Sequence, residues 1–413
     1  MTSASVARRI EGILRTEAPQ VLGALVRRFG RFDLAEDATQ EALLAAHRTW
    51  MDGGVPDEPR GWLIRVGYRK LVDILRSEDA DRRREQEWLT SDPRRADAGA
   101  PAPTARDDSL ELLVLCCHPA LTETSRIALT LRAVGGLTTA EIAHACGVPE
   151  ATMATRISRA KQTLRKVDAR FELTDAEELT ERVTDVERVL YLIFNEGYAA
   201  STGPELTRVD LTAEAIRLTR MLVSARPDDA EARGLLALML LMEARRSARQ
   251  NGDDLVVLEE QDRSAWDSEL IREGTRLIET AWEERAVGIY QIQAAIAAVH
   301  ANTMKSAETD WPQIAALYLW LERLEPTAPV RLSRVVAVSR AFGPQRGLAL
   351  LDDLDADRSL TGDPLTASRA RIVRAHLLDE LGDHEGAQRG FAEAEEFATN
   401  DVEKRYLADR ARR

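Results

Sequence analysis

The segment LTTAEIAHACGVPEATMATRISRAKQTLRK, Leu137 to Lys166, concentrates side chains suited to nucleic acid. Two short amphipathic stretches flank a turn holding Gly147, the first over roughly Thr138 to Ala145 and the second starting near Pro149. Ile142, Val148, Met153, Ile157 and Leu164 fall at helical spacing and would hold the pair together. That leaves Glu150, Thr152, Thr155, Arg156, Arg159, Lys161 and Arg165 on the outward face of the second helix. This is the layout of a helix-turn-helix whose second helix enters a major groove. Arg can read a guanine edge with two hydrogen bonds. Arg165, Lys166 and Arg170 extend the basic face and suit phosphates, which add affinity more than sequence discrimination. The same pattern would also serve a solvated basic helix.

Other chemistry is poorly represented. Cys116, Cys117 and His118 are adjacent. Adjacent positions on a helix diverge by about 100° and cannot close a tetrahedron unaided. Buried core thiols and a helix-boundary imidazole are expected there, with no metal site. No GxxxxGK[ST] or GxSxG motif occurs, so neither an enzyme nor a cofactor is expected. In YLIFNEGY (Tyr191–Tyr198), Asn195 and Gly197 are expected to close a helix. The polar residues of QDRSAWD (Gln261–Asp267) are expected to fix a hydrogen-bond network between repeats.

The elements that position these residues are helical. Ala, Leu, Arg and Glu recur, aromatics are 5%, and the fold class expected is all-α. A first block, 5–86, contains DLAEDATQEALLAAHRTW, with Asp33 as a capping residue and Glu36 completing a capping-box pattern, then the basic helix WLIRVGYRKLVDILR. Residues 87–108 (including TSDPRRADAGAPAPTARDD) read as a flexible linker. Block 109–171 holds four short helices, and 172–413 a helical array. Near its end, Ala375, Gly382, Ala387 and Ala394 would let paired helices approach, as in a tetratricopeptide (TPR) solenoid. LLALMLLMEA (Leu235–Ala244) is too short to span a bilayer and reads as a buried helix. The N-terminus lacks signal-peptide features and three cysteines suit a reducing cytoplasm, so a cytoplasmic protein with no membrane contact is expected.

A net charge of −13 argues against nucleic-acid binding by the chain as a whole. The basic helices lie early, however, and long stretches after Glu172 are acidic, so separate domains have separate tasks.

Ile10 to Arg170 resembles an extracytoplasmic-function (ECF) sigma factor of bacterial RNA polymerase. DLAEDATQEALLAAHRTW is similar to the sigma region 2 helix that binds the polymerase clamp coiled coil, and the basic helix after it to the one that opens the −10 element. The helix-turn-helix block is similar to sigma region 4, which reads the −35 element. CCHPAL, LRAVGGLTTAEIA, YLIFNEGY and QDRSAWD resemble the subgroup with a C-terminal TPR-like extension.

The resemblance implies a polymerase-binding face of Asp33, Glu36, Asp37, Gln40 and Glu41. It implies a −10 surface of Arg65, Tyr68, Arg69, Lys70, Asp73 and Arg76, where Tyr68 either stacks on a base or packs, and Trp62 is core. The partners implied are core RNA polymerase, through its clamp coiled coil and flap, and promoter DNA. Many relatives carry Gly and a basic residue where this chain has Ala151 and Ala154, and an Asn frequent near Tyr68-Arg69 is missing. Those departures bear on promoter preference. An intramolecular contact between the extension and the sigma domains is expected, either covering the basic helices until polymerase binds or, as the resemblance favours, supporting them in cis. The residues alone also fit a helix-turn-helix regulator that acts without polymerase and carries a sensory or protein-binding array.

Overall fold

In the computed structural model, residues 3–86, 108–146, 148–167, 169, 176–200, 206–252, 254–283, 287–357, 360 and 364–412 are described. Most of the linker and Arg170 lie outside them. Helices dominate, as the composition predicts. The chain divides into two compact units, Met1–Leu192 and Ile193–Arg413.

The first unit opens with α1 (Ser3–Phe29), α2 (Phe32–Gly53) and α3 (Pro59–Gln86), which pack on one another. Small residues set their spacing. Ala35, Ala38, Ala42 and Ala46 form a fully buried stripe on α2 at helical spacing. Gly67 of α3 sits where a Cβ would lie 2.9 Å from Leu25 Cδ1 of α1. Trp50 is fully buried, with the Trp62 ring edge-on at 5.5 Å.

Four shorter helices follow: α4 (Ser109–Cys116), α5 (Glu123–Ala133), α6 (Thr139–Ala145) and α7 (Glu150–Lys166). They pack on one another and on the first two helices, α4 and α5 against α1 and α7 against α2. The two blocks on either side of the predicted linker therefore form one body. The unit boundary falls inside α8 (Ala176–Tyr198).

The second unit continues through α9 (Val209–Ala225), α10 (Ala230–Glu243), α11 (Ser268–Glu283), α12 (Ile289–Ala301), α13 (Trp311–Leu324), α14 (Ala328–Phe342), α15 (Pro344–Ala356), α16 (Pro364–Glu380), α17 (His384–Phe397) and α18 (Asp401–Arg412). A two-stranded antiparallel ribbon, Gln250–Asn251 with Asp254–Leu255, follows α10. Neighbours in sequence are mostly neighbours in space, as in a stacked array. Every residue of α10 from Gly234 to Leu241 is buried, as its apolar run predicts.

Three local expectations are corrected or refined. Asp33 does not cap α2: Arg31 occupies the cap position without a side-chain capping bond, and Asp33 lies inside the first turn, accepting from the Arg31 guanidinium. The helix end expected at Asn195 and Gly197 falls at Tyr198, with the Ala199 amide donating to the Asn195 carbonyl at 2.9 Å, and Gly197 has a further role. It lies within α8, where a Cβ would stand 2.6 Å from the Thr212 amide of α9, so its missing side chain permits a helix crossing. Gly382 makes a turn (φ +87°) rather than a helix contact, and the close approach of α16 and α17 falls at Gly390, where a Cβ would stand 2.9 Å from Ala375 Cβ.

Candidate nucleic-acid interface

Thr138 caps α6 with a complete capping box. Its hydroxyl accepts from the Glu141 amide at 3.2 Å, and its own amide donates to Glu141 Oε2 at 2.6 Å. The turn closes with the Val148 amide donating to the Ala143 carbonyl at 3.0 Å. Pro149 stands at the cap of α7, one position earlier than first-turn proline, in extended conformation, and its carbonyl receives the first helical amides. Met153, Ile157, Ala160 and Leu164 then form the buried stripe of α7.

The opposite face is where the predicted residues diverge. Thr152, Thr155, Arg156, Arg159 and Thr163 line a cleft of about 650 Å³, together with Thr122, Thr124 and Ser125 at the start of α5. No carboxylate is among its lining residues. Thr122 caps α5, its oxygen accepting from the Ser125 amide, so positive helix-end potential adds to the two guanidinium groups. Neither Arg156 nor Arg159 is ion-paired to a described residue. Glu150 is exposed at the helix start.

Lys161 and Arg165 are not in that cleft. Lys161 Nζ lies 2.9 Å from Glu36 Oε2 and 2.6 Å from Asp37 Oδ1, and Arg165 is 3.6 Å from Asp33. Arg132 of α5, which sequence reasoning did not single out, completes the cluster at 3.0 Å from Glu36 Oε1. Burial by itself would raise the Glu36 carboxyl, but the Lys161 and Arg132 charges beside it hold it below 4.5. Asp33 is likewise held below its usual range despite burial, first by its bond from Arg31. For Lys161 burial works against the charged form, and Glu36 and Asp37 outweigh it, raising the ammonium above 10.5. Gln40 is half-buried, and Glu41 is exposed, 3.6 Å from Lys70.

On α3, Arg65, Arg69, Lys70, Asp73 and Arg76 are all exposed, opposite the buried Leu63, Ile64 and Leu71. Tyr68 is half-buried against the Phe29 ring at 5.4 Å, so one edge is committed to packing. The arrangement is a basic stripe over a hydrophobic seam, with the character of a phosphate-binding surface.

Cys116 and Cys117 are fully buried. Burial pushes both thiols up, Cys117 to about 12, so both are held in the neutral thiol form near neutral pH. No group of three metal-ligating side chains occurs among the described residues.

Comparison with known proteins identifies the chain. Residues 13–81 match the family model of Sigma-70 region 2, and residues 111–164 that of Sigma-70 region 4. The ECF RNA polymerase sigma factor SigK of Mycobacterium ulcerans is 30% identical over 148 residues, 35% of this chain and 78% of that protein. The chain belongs to the ECF sigma factors.

SigK of Mycobacterium tuberculosis is also 30% identical, over 152 residues. An uncharacterized protein of Rhizobium meliloti is 41% identical over 404 residues, 96% of this chain and 94% of that protein, so the extension is shared with it. Residues 182–282 match a family of unknown function (DUF6596). No solved structure matches. A sigma factor is not an enzyme: it binds core RNA polymerase and promoter DNA, and the polymerase performs the chemistry. No helix among the described residues of this sigma factor is long and apolar enough to cross a membrane.

In the extension, Arg245 bridges the two signature segments, donating to the Tyr198 hydroxyl at 2.8 Å and lying 5.8 Å from the Trp266 ring. Arg249 stacks over the Tyr198 ring at 3.7 Å and donates to the Tyr198 carbonyl. Arg263 lies 5.1 Å from the Trp266 ring and donates to the His300 carbonyl at 2.7 Å, the Thr303 carbonyl at 3.0 Å and the Thr309 hydroxyl at 3.1 Å. These bonds tie the loop before α11 to the end of α12 and the start of α13.

Proposed function

We propose that residues 5–86 bind the polymerase clamp through α2 and the −10 element through α3. On this reading residues 109–171 read the −35 element and meet the polymerase flap, with 87–108 as the tether between them. Residues 172–413 form a TPR-like array that supports activity in cis, and the protein works in the cytoplasm beside its polymerase. The observation that carries the −35 assignment is the acid-free cleft of α7. Arg156 and Arg159 are spared from internal pairing there and stand beside hydroxyl donors at a helix start. On α3, the exposed stripe of Arg65, Arg69 and Arg76 supports the −10 assignment.

The test is transcription in vitro with core polymerase and the promoter of the protein's own operon. Wild type gives promoter-dependent transcripts. Arg156→Ala with Arg159→Ala lowers −35-dependent initiation by at least about tenfold, since each base-reading arginine contributes about 1–3 kcal/mol. An unchanged yield removes the −35 assignment. Truncation after Arg170 abolishes activity if the array supports the sigma domains, and raises it if the array restrains them.

A further inference from the structure

We propose that the recess between α14, α16, α18 and the turn at 257–260 binds a small organic amine, held by its ammonium group with its apolar body against the walls. The recess lies wholly within the second unit, and the inference does not depend on the promoter-reading assignments.

The recess holds about 300 Å³, at the lower end of the range of about 300–1,000 Å³ for small-molecule sites. Val336 of α14 with Val373 and Leu377 of α16 supply apolar wall, and Val257 and Leu258 of the turn add to it. The turn is fixed in place. The Glu260 amide donates to the Val257 carbonyl at 2.9 Å, and Gln261 Nε2 donates to the Val256 carbonyl at 3.1 Å. Gln261 is the first residue of the QDRSAWD segment, so that segment braces the recess as well as the array. Arg340 of α14 ties the turn to α16, lying 2.7 Å from Glu259 Oε1 and 3.1 Å from Glu380 Oε1. Walls ordered in advance leave a ligand little to organise.

Polar groups remain unused inside these walls. Ser339 is 5% exposed and lines the recess, and its hydroxyl has no hydrogen bond to a described residue. A buried polar group left in that condition is uncommon in a folded protein. His376 Nε2 meets the Tyr406 hydroxyl at 3.2 Å, and its Nδ1 has no partner among the described residues. Burial, with Arg410 and Arg340 close by, lowers this imidazole to about 4, so near neutral pH it is uncharged and keeps a lone pair.

Charge selects the ligand. Glu259, Glu260, Asp379 and Glu380 line the recess, against the guanidinium groups of Arg340 and Arg410 only. Both guanidiniums are engaged, Arg340 between Glu259 and Glu380 and Arg410 at 2.8 Å from Asp379. Neither is left over for an anion, whereas Glu260 has no ion pair to a described residue. A primary ammonium brings three donors and no acceptor, the complement of carboxylate, hydroxyl and imidazole acceptors. A carboxylate or phosphate would meet the excess negative charge instead.

The test uses the full chain and three probes that share one body: phenethylamine, 2-phenylethanol and 3-phenylpropanoate. In titration calorimetry at pH 7 the amine binds with a Kd of about 1 mM or tighter, and the alcohol at least about tenfold more weakly. The acid gives no binding heat. Glu260→Gln with Glu380→Gln weakens the amine at least about tenfold, whereas Glu260→Asp with Glu380→Asp, which keeps both charges, weakens it less than about threefold. Absence of amine binding to wild type overturns the proposal, and so does acid binding as tight as the amine's. Amine affinity unchanged in the double Gln variant, with its helical content intact, overturns the placement. A second measurement needs no variant. Hydrogen exchange of the wild-type chain with phenethylamine slows in α16, α18 and the 257–260 turn and stays the same in α9 and α10. Protection confined to other helices likewise overturns the site.

Discussion

Glu36 in the first unit and Arg263 in the second are about equally withdrawn from water, at 3% and 6% exposure, yet they are satisfied by different means. Glu36 meets two side-chain cations across a seam between blocks. Arg263 meets backbone carbonyls and hydroxyls, with an indole beside it, inside one array. A side-chain cation can be replaced by a cation from a partner, because the carboxylate needs only charge and donors. A backbone carbonyl cannot be replaced without unfolding the turn that presents it. The first arrangement suits a surface that must change partners. The second suits a scaffold that must hold its shape.

That contrast predicts a large effect at Arg263. Arg263→Ala leaves the His300 and Thr303 carbonyls without this donor, and each buried acceptor so stranded costs about 1–3 kcal/mol, for a total of about 3–5 kcal/mol. Denaturant unfolding of the full chain should show the second unit melting early and the first unchanged. A loss under about 1 kcal/mol would mean that the guanidinium is dispensable and the contrast false.

Glu36→Gln should act differently. It weakens the seam by about 2 kcal/mol, since the amide keeps the shape and loses the charge. Hydrogen exchange should quicken in α7 while α1 keeps its protection. Equal acceleration in α1 would show that the two blocks unfold as one and that the seam does not open separately.

Acid should separate the two regions. Burial lowers the His300 imidazole to about 4, with the Arg245 and Arg263 charges adding to the effect. The unfolded chain takes up that proton near 6.5, so the stabilisation is complete above 6.5 and is lost as pH falls from there towards 4. At pH 5.5 the loss is about 1 kcal/mol. The Glu36 carboxyl is held below 4.5, so its contribution persists at that pH and is lost only as pH falls through its lowered value. Calorimetry at pH 7 and 5.5 should therefore lower the Tm of the second unit first. A first unit that softens earlier would reverse the assignment.

Much of the fold was readable because its signals are local. The stripe Met153, Ile157, Ala160, Leu164 has helical period, and the apolar run of α10 gives a helix buried all round. The helix-turn-helix was legible for the same reason: Thr138, Glu141 and Pro149 sit within a dozen residues and act on neighbouring amides. Asp33 misled because an acid before an apolar run resembles a cap, whereas its partners are Arg31 and the distant Arg165. The helix end near Asn195 and Gly197 was legible, but the reason for the glycine was not. Its real constraint is the Thr212 amide of another helix.

The sequence by itself determined the all-helical class, the helix-turn-helix and the placement of basic and acidic helices, since capping, periodicity and charge operate within a few residues. Only the tertiary structure decided which cations of α7 face outward and which meet α2. Glu36 and Lys161 are 125 positions apart, and no local rule relates them. Their pairing follows from how the two blocks pack, and packing assigned Arg156 and Lys161, five residues apart on one helix, to opposite surfaces.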